Sequence, residues 1–256
     1  MVLRTEDRDG VRYLIMNRPE VHNAFNPELI SSLTEALRAA ESDGAVRMVV
    51  ITGEGRSFSA GADLNWMKES VTYSEKENYE DAMAMAEMFH TIRCLKKPVL
   101  ARVNGAAIGG GMGIVAASDI SVASEKAVFG FSEVKLGLVP AVISPYIVAR
   151  IGEARARELF ITGRRFDAKA AQAMGLVNMS VPHEELDSTV GSYIRDIRTS
   201  GPRAVAAAKA LLDTVAGFDP MKEETSHIIA TLRASEEGQE GISAFLEKRK
   251  PGWYDV

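Results

Sequence analysis

Cysteine is nearly absent from this chain. Cys94 is the single one among 256 residues, so no disulfide can form within the molecule. A metal site built on several cysteine ligands is not indicated for the same reason. One thiol is typical of a protein that works in a reducing compartment, and we therefore expect the cytoplasm.

Long apolar runs and an excess of basic charge are missing as well. The first ten residues carry acidic side chains and lack the apolar core of a secretory signal. The apolar stretch 136–148 is interrupted by Pro140 and Pro145 and is too short to cross a bilayer. The formal net charge of −5 gives no support to nucleic-acid binding through a basic field. Neither a membrane nor a nucleic acid is expected as a partner.

The apolar pattern predicts an α/β protein. Its composition, with 46% hydrophobic and 25% charged residues, is that of an ordinary globular chain rather than a disordered one. After about residue 185 helical patterns dominate. A β/α core is therefore predicted for 1–190 and a helical segment for 191–256. Strands are predicted at 11–16, 46–52, 99–103, 120–123 and 176–181, and C-terminal helices at 190–198, 202–216 and 221–234.

Two glycine-rich turns, 59–63 and 108–113, each lie between a buried strand and the start of a helical pattern. The backbone N–H groups of such turns lie at the positive end of a helix dipole, where they can hold a negative oxygen without a charged side chain. Two of these turns could converge on one oxygen. The alternative is that the glycines only permit tight turns and close packing of helix on sheet.

A second alternative is a dinucleotide site. Gly111, Gly113 and Ala116 fit the pattern G-x-G-x-x-G/A, and Glu133 lies near the distance expected of a ribose-binding acid. Isolated matches to this pattern are common, so it carries little weight. The P-loop signature G-x-x-x-x-G-K-[ST] is absent from the sequence, so nucleoside triphosphate binding has no motif behind it.

Longer stretches of the sequence point to one family. They are FSAGADL at 58–64, NGAAIGGG at 104–111, FGFSEVKLGLVP at 129–140, Asn17-Arg18-Pro19 with Asn23-Ala24, and AFLEKRKP at 244–251. These stretches closely resemble the crotonase (enoyl-CoA hydratase/isomerase) family and follow one another in the family's order over nearly the whole chain. The resemblance implies a crotonase-like β/α spiral core with a C-terminal helical segment.

The resemblance also implies roles for particular residues. The N–H groups of Ala62 and Gly110 would form an oxyanion hole for a thioester carbonyl, and Glu133 matches a catalytic glutamate. The chain departs from the family's pattern at Gly113, where the two-glutamate hydratases have a second carboxylate. Residues expected to contact substrate or CoA are Ala60, Leu64, Trp66, Met67, Gly109, Pro140, Phe245 and Lys248. Trp66 and Met67 could equally be ordinary core, and Phe245 and Lys248 a solvated helix end.

A carboxyl near a polarised thioester can move protons at the adjacent carbons, which is the chemistry expected of Glu133. Phe129 and Phe131 could dry its surroundings and raise its pKa. The alternative is a surface glutamate that pairs with Lys135 or another cation. The four histidines show no metal-ligand spacing, and no metal is expected.

The leading hypothesis is therefore an enoyl-CoA hydratase with one glutamate. A double-bond isomerase is the first alternative, because moving one proton between two carbons needs only one base. A CoA-thioester-binding protein without catalysis is the second. Residues 139–146 look like those of hydratases of branched or glutaconyl-type thioesters, which favours hydration. The resemblance further implies a homotrimer or a dimer of trimers, and no cofactor beyond the CoA of the substrate.

Overall fold

Strands and helices alternate through the first two thirds of the chain, and helices alone follow in the part described. The computed structural model describes residues 1–253. Its strands are β1 (Leu3–Arg8), β2 (Val11–Met16), β3 (Met48–Gly53), β4 (Ser57–Ser59), β5 (Val99–Val103), β6 (Ala106–Ile108), β7 (Ile120–Ser124), β8 (Val128–Gly130), β9 (Arg165–Asp167) and β10 (Met179–Val181). Its helices are α1 (Pro27–Ser42), α2 (Leu64–Ser70), α3 (Glu75–Cys94), α4 (Gly110–Ala117), α5 (Ser144–Thr162), α6 (Ala168–Ala173), α7 (Leu186–Thr199), α8 (Pro202–Ala216), α9 (Lys222–Ala234) and α10 (Glu236–Leu246).

The strands form two sheets. The larger has the order β1-β2-β3-β5-β7-β10 and is parallel except for the edge pair β1-β2. The smaller has the order β4-β6-β8-β9, with β8-β9 antiparallel. β3, β5 and β7 of the larger sheet are each followed by a short strand of the smaller sheet, so the chain winds from one sheet to the other three times. This winding is the predicted β/α spiral.

Both faces of the larger sheet are covered by apolar side chains. Val49 and Ile51 of β3 belong to the main core, whereas Met48 and Val50 pack on the opposite face with Leu186 and other residues of α7. Successive strand residues point to opposite faces, so a strand buried on both sides reads as a continuous apolar run. That run is why β3 and β5 could be predicted from the sequence.

Local capping signals set the helix starts. α1 begins with Pro27 at its first position, and the side chain of Asn26 accepts a hydrogen bond from the Leu29 N–H at 2.9 Å. Asp167 caps α6 in the same way, through the Ala170 N–H.

The strand predicted at 176–181 is shorter than expected. β10 begins only at Met179. The N–H groups of Leu176 and Val177 donate to the Ala171 carbonyl, at 2.9 and 3.4 Å, so these two residues form the turn that closes α6. Leu176 and Val177 are fully buried, so their apolar character alone resembles that of a buried strand.

The C-terminal helices do not form one layer. α9 packs on α3, and α10 contacts α2, α9 and the 3-10 turn Glu133–Leu136. A Cβ built on Gly241 of α10 would lie 2.2 Å from the Leu136 carbonyl oxygen, so only glycine allows this close approach.

The proposed boundary between 1–190 and 191–256 falls inside α7, and the division stays a proposal. Across the described residues, no helix combines the length and the apolarity that crossing a bilayer requires.

Candidate active site

The first glycine-rich turn is tied to the chain segment before α1. Gly61 has a φ of +91°, a conformation that favours glycine. Phe25 donates its N–H to the Gly61 carbonyl at 2.6 Å and accepts from the Asp63 N–H at 2.8 Å. Ala62 lies between these two bonds, and its own N–H donates to no group in residues 1–253. That N–H is therefore held rigidly and is free to bind a ligand oxygen.

An ion pair with little exposure fixes the other side of this turn. Asp63 caps α2 by accepting from the Asn65 N–H at 2.8 Å. Arg18 donates to the Asp63 carboxylate at 2.7 Å and to the Ala24 carbonyl at 2.6 Å. Burial opposes ionisation of Asp63, but these hydrogen bonds outweigh it, so its pKa lies below the usual range. The Asn17-Arg18-Pro19 motif thus positions the turn that holds Ala62.

The second turn lies against the first. Gly110 is the first residue of α4, so its N–H has no partner within the helix, and it donates to no other described group. A Cβ built on Gly109 would lie 3.8 Å from the Cα of Gly61 and 3.2 Å from Oε1 of Glu133. One built on Gly110 would lie 2.8 Å from the Phe25 ring. The two predicted turns and the predicted carboxyl therefore meet at one place.

Glu133 has the environment of a functional carboxyl rather than of a surface residue. Its Oε2 is shielded from solvent and has no hydrogen-bond partner among the described residues. Burial raises the pKa of Glu133 to about 7. Within residues 1–253, no ion pair joins Glu133 to Lys135. The interpretation of Glu133 as a surface residue in an ion pair is therefore wrong.

Two aromatic residues expected to dry this environment do not line the cavity, and their contribution stays a prediction. Phe129 and Phe131 are fully buried, but they pack against Phe160 and Phe166 and do not line the cavity at Glu133. Both belong to the core beneath the smaller sheet.

Glu133 and the two turns open into a cavity of about 570 Å³. Its wall includes Ala62 and Gly110 together with most of the residues expected to contact substrate. The latter are Ala60, Leu64, Trp66, Met67, Gly109 and Pro140. The cavity is of a size that small-molecule sites commonly have.

The two C-terminal residues expected to contact CoA differ in their position relative to the cavity. Phe245 lines the cavity and is 48% exposed, which places it at the rim. Lys248 follows the end of α10, is exposed and does not line this cavity. Its proposed contact with CoA stays a prediction.

Several cavity residues were not identified from the sequence. α3 contributes Met85, α9 contributes Ile229 and Arg233, and α10 contributes Ile242. Each lies on a helix far from the motifs in sequence. Helical spacing predicts which residues share a helix face, but it does not tell which other element covers that face.

The glycines of the dinucleotide pattern do not form a phosphate-binding turn. Gly111, Gly113 and Ala116 all lie within α4 and are buried, so the dinucleotide interpretation is wrong. A Cβ built on Gly113 would lie 2.5 Å from Cγ2 of Ile143 and 2.6 Å from Cε1 of Phe89. The space that a carboxylate would need at position 113 is thus filled by apolar side chains.

Comparison with known proteins decides the family. A profile described as enoyl-CoA hydratase/isomerase matches residues 6–256. The chain belongs to this family. A Thermus thermophilus protein provisionally named an enoyl-CoA hydratase is 36% identical over 247 residues, covering 96% of this chain and 98% of that protein.

Solved structures of crotonases share the fold. An enoyl-CoA hydratase from Shewanella pealeana is 36% identical, with a TM-score of 0.83, and the match covers 99% of this chain and 96% of that one. An enoyl-CoA hydratase from Mycobacterium avium is 33% identical, with a TM-score of 0.88 and 98% of both chains covered. The predicted crotonase-like α/β fold is confirmed, and the family acts on acyl-CoA thioesters.

Introducing the carboxylate that this crotonase lacks should not create a two-glutamate site. We expect Gly113→Glu to lower the free energy of unfolding by about 3 kcal/mol or more, because overpacking and an unpaired buried charge both destabilise. Denaturant unfolding measures this loss. Gly113→Ala is the matched control, since it adds the clash without the charge and should cost about 1 to 3 kcal/mol. A stable Gly113→Glu protein with faster turnover would contradict the packing argument.

Proposed function

We propose that this crotonase is an enoyl-CoA hydratase, which adds water across the double bond of a 2-enoyl-CoA thioester. One observation carries the proposal. The N–H groups of Ala62 and Gly110, which donate to no described group, and the Glu133 carboxyl, whose Oε2 has no partner among the described residues, belong to three segments that meet at one cavity.

The proposed reaction needs only these groups and one water molecule. The thioester oxygen accepts hydrogen bonds from the N–H groups of Ala62 and Gly110, which draws electrons toward it. The Glu133 carboxylate removes a proton from water, and the hydroxide forms a bond to C3. The double-bond electrons move through C2 to the thioester oxygen. Glu133 then returns its proton to C2, so that one water is added and the carboxylate is regenerated.

Among the acidic residues that line the cavity, Glu133 is the one available for this proton transfer. Two other acidic residues line the cavity. Asp63 is committed to Arg18 and to capping α2, and Glu20 is exposed. A single carboxyl can take the proton from water and deliver it in succession, because its pKa near 7 allows both forms at neutral pH.

Double-bond isomerisation is the second candidate, and the closed space at Gly113 favours it. An isomerase removes a proton from one carbon and returns it to another, for which one base suffices. A binding protein without catalysis is the third candidate. A carboxyl oxygen shielded from solvent, with no partner among the described residues, argues against it, because such a group destabilises the fold unless it has a use.

The product of the reaction separates these candidates. The protein is incubated in heavy water with a panel of 2- and 3-enoyl-CoA thioesters, straight, branched and glutaconyl-type, and the product masses are followed. We expect 2-enoyl thioesters to gain the mass of one heavy-water molecule. Deuterium incorporation without the addition of water would replace the hydratase by an isomerase. Neither change, with binding retained, would leave a binding protein.

We also propose that the enzyme is a homotrimer or a dimer of trimers in the cytoplasm. α8 has no buried residue and presents Leu211, Leu212 and Val215, which are 62%, 66% and 77% exposed. Large apolar side chains grouped in this way are typical of a protein interface.

The single cysteine supports a reducing compartment. The proposed reaction uses water and protons and calls for no metal or redox cofactor.

A further inference from the structure

Arg233 is a cation on an otherwise largely apolar wall of the cavity. It projects from α9, lines the cavity with Ile229 of the same helix, and its side chain is only 13% exposed. Trp66 of α2 and Met85 of α3 also line this cavity. A charge at such a place is costly unless it is paired and hydrogen-bonded.

The pairing of Arg233 is incomplete. One terminal nitrogen donates to the Asp81 carboxylate at 2.8 Å, and the guanidinium carbon lies 5.7 Å from the centre of the Trp66 ring. Asp81 also accepts from the Trp66 indole N–H at 3.2 Å. A guanidinium has five N–H donors, and its other nitrogens donate to no side chain or carbonyl in residues 1–253. Asp81 and Trp66 thus hold the guanidinium in place while most of its donors stay free.

We propose that Arg233 binds a carboxylate carried by the acyl chain, so that the preferred substrates are thioesters of dicarboxylic acids. This inference rests on the proposed function and names its substrate class. A planar guanidinium held by one edge offers a second edge to a carboxylate, which accepts two parallel hydrogen bonds. The apolar surroundings strengthen that attraction relative to water.

Asp81 does not prevent such binding. Burial raises the pKa of Asp81 above its usual value even beside Arg233. A second carboxylate at the guanidinium raises it further, because a like charge nearby disfavours ionisation. A purely structural pair between α3 and α9 would need no free donors toward the cavity.

Binding of saturated thioesters tests the inference without turnover. Glutaryl-CoA and suberyl-CoA carry a terminal carboxylate, whereas pentanoyl-CoA and octanoyl-CoA have the same acyl carbon counts and none. Calorimetry with the full-length protein should show that, in at least one pair, the carboxylated thioester binds roughly tenfold to hundredfold more tightly. This is the gain in affinity expected from hydrogen bonds to a charged group. The absence of preference in both pairs would overturn the inference.

The variants assign the preference to Arg233. Arg233→Met with Asp81→Asn removes both charges together, leaves no unpaired buried ion and should abolish the preference. Arg233→Lys retains the charge without the two-edged geometry and should keep only part of it. A preference that survives in Arg233→Met with Asp81→Asn would overturn the assignment. Should the protein bind these thioesters but turn over no enoyl-CoA, the proposed reaction fails while the assignment of Arg233 stands.

Discussion

Glu133→Gln is expected to lower kcat by about 10² to 10⁴-fold, the range that a positioned acid–base group contributes. Glutamine has nearly the same shape but cannot take a proton from water or return one to C2. Affinity for a saturated acyl-CoA should stay close to that of the unaltered enzyme, because the two backbone N–H groups are untouched. Steady-state kinetics and calorimetry on the same preparation measure the two effects. Near-normal turnover in this variant would remove Glu133 from the mechanism.

The pH dependence of the unaltered enzyme gives an independent check on Glu133. The proposed first step uses the carboxylate, and burial raises the pKa of this group to about 7. We therefore expect kcat/KM to fall as the pH drops below about 7, in proportion to the ionised fraction. The residual activity of Glu133→Gln should lack this limb, and a limb that persists there would belong to another group.

The same substitution should make the protein more stable at alkaline pH. The pKa of Glu133 is about 7 in the folded chain, against 4.5 for an ordinary glutamate, so the folded state binds its proton more tightly than the unfolded state does. Stability is therefore lost as the pH rises from about 4.5 to 7, by at most about 3 kcal/mol. Glutamine does not ionise, so this loss is absent from the variant. Denaturant unfolding at pH 5 and pH 8 should show a larger advantage of Glu133→Gln at pH 8, and an equal difference at both would contradict the assigned pKa.

The fold was predictable where local patterns are strong. β3 and β5 are apolar runs buried on both faces, and the start of α1 is marked by Asn26 and Pro27. β1 was not predicted, because Leu3 is its single buried residue and the rest of it is polar. It is a strand because it pairs along its whole length with β2, which is a contact between elements rather than a local preference.

The site, like the fold, was predictable from local sequence stretches but not in its contacts between distant elements. Ala62, Gly110 and Glu133 lie in stretches that resemble the family, and the structure brings these stretches together around one cavity. The resemblance could not show that Gly113 faces Phe89 and Ile143, because the sequence holds no sign of what packs on α4. Nor could it bring Arg233, about a hundred positions beyond Glu133, to the same cavity. Sequence patterns predict that a residue is buried or polar, but its neighbours depend on how the helices pack.

Ala62→Pro should lower kcat by about 10² to 10³-fold, the loss typical of removing one oxyanion donor. Proline lacks the N–H, so the thioester oxygen would keep the Gly110 donor alone. The interaction strengthens as negative charge develops on that oxygen, so the loss should appear mainly in kcat and much less in KM. Stopped-time assays over a range of substrate concentrations separate the two constants.

Ala62→Gly is the matched control, because it changes the side chain at the same position and retains the N–H. It should keep most of the turnover, whereas a role for the Ala62 methyl group would make the two variants alike. Proline also restricts Gly61, the preceding residue, which has a φ of +91°. Unaltered affinity of Ala62→Pro for a saturated acyl-CoA would show that the turn keeps its shape. Full activity in that folded variant would mean that the main chain at position 62 does not hold the developing charge, and the site would then have to bind the thioester through Gly110 alone.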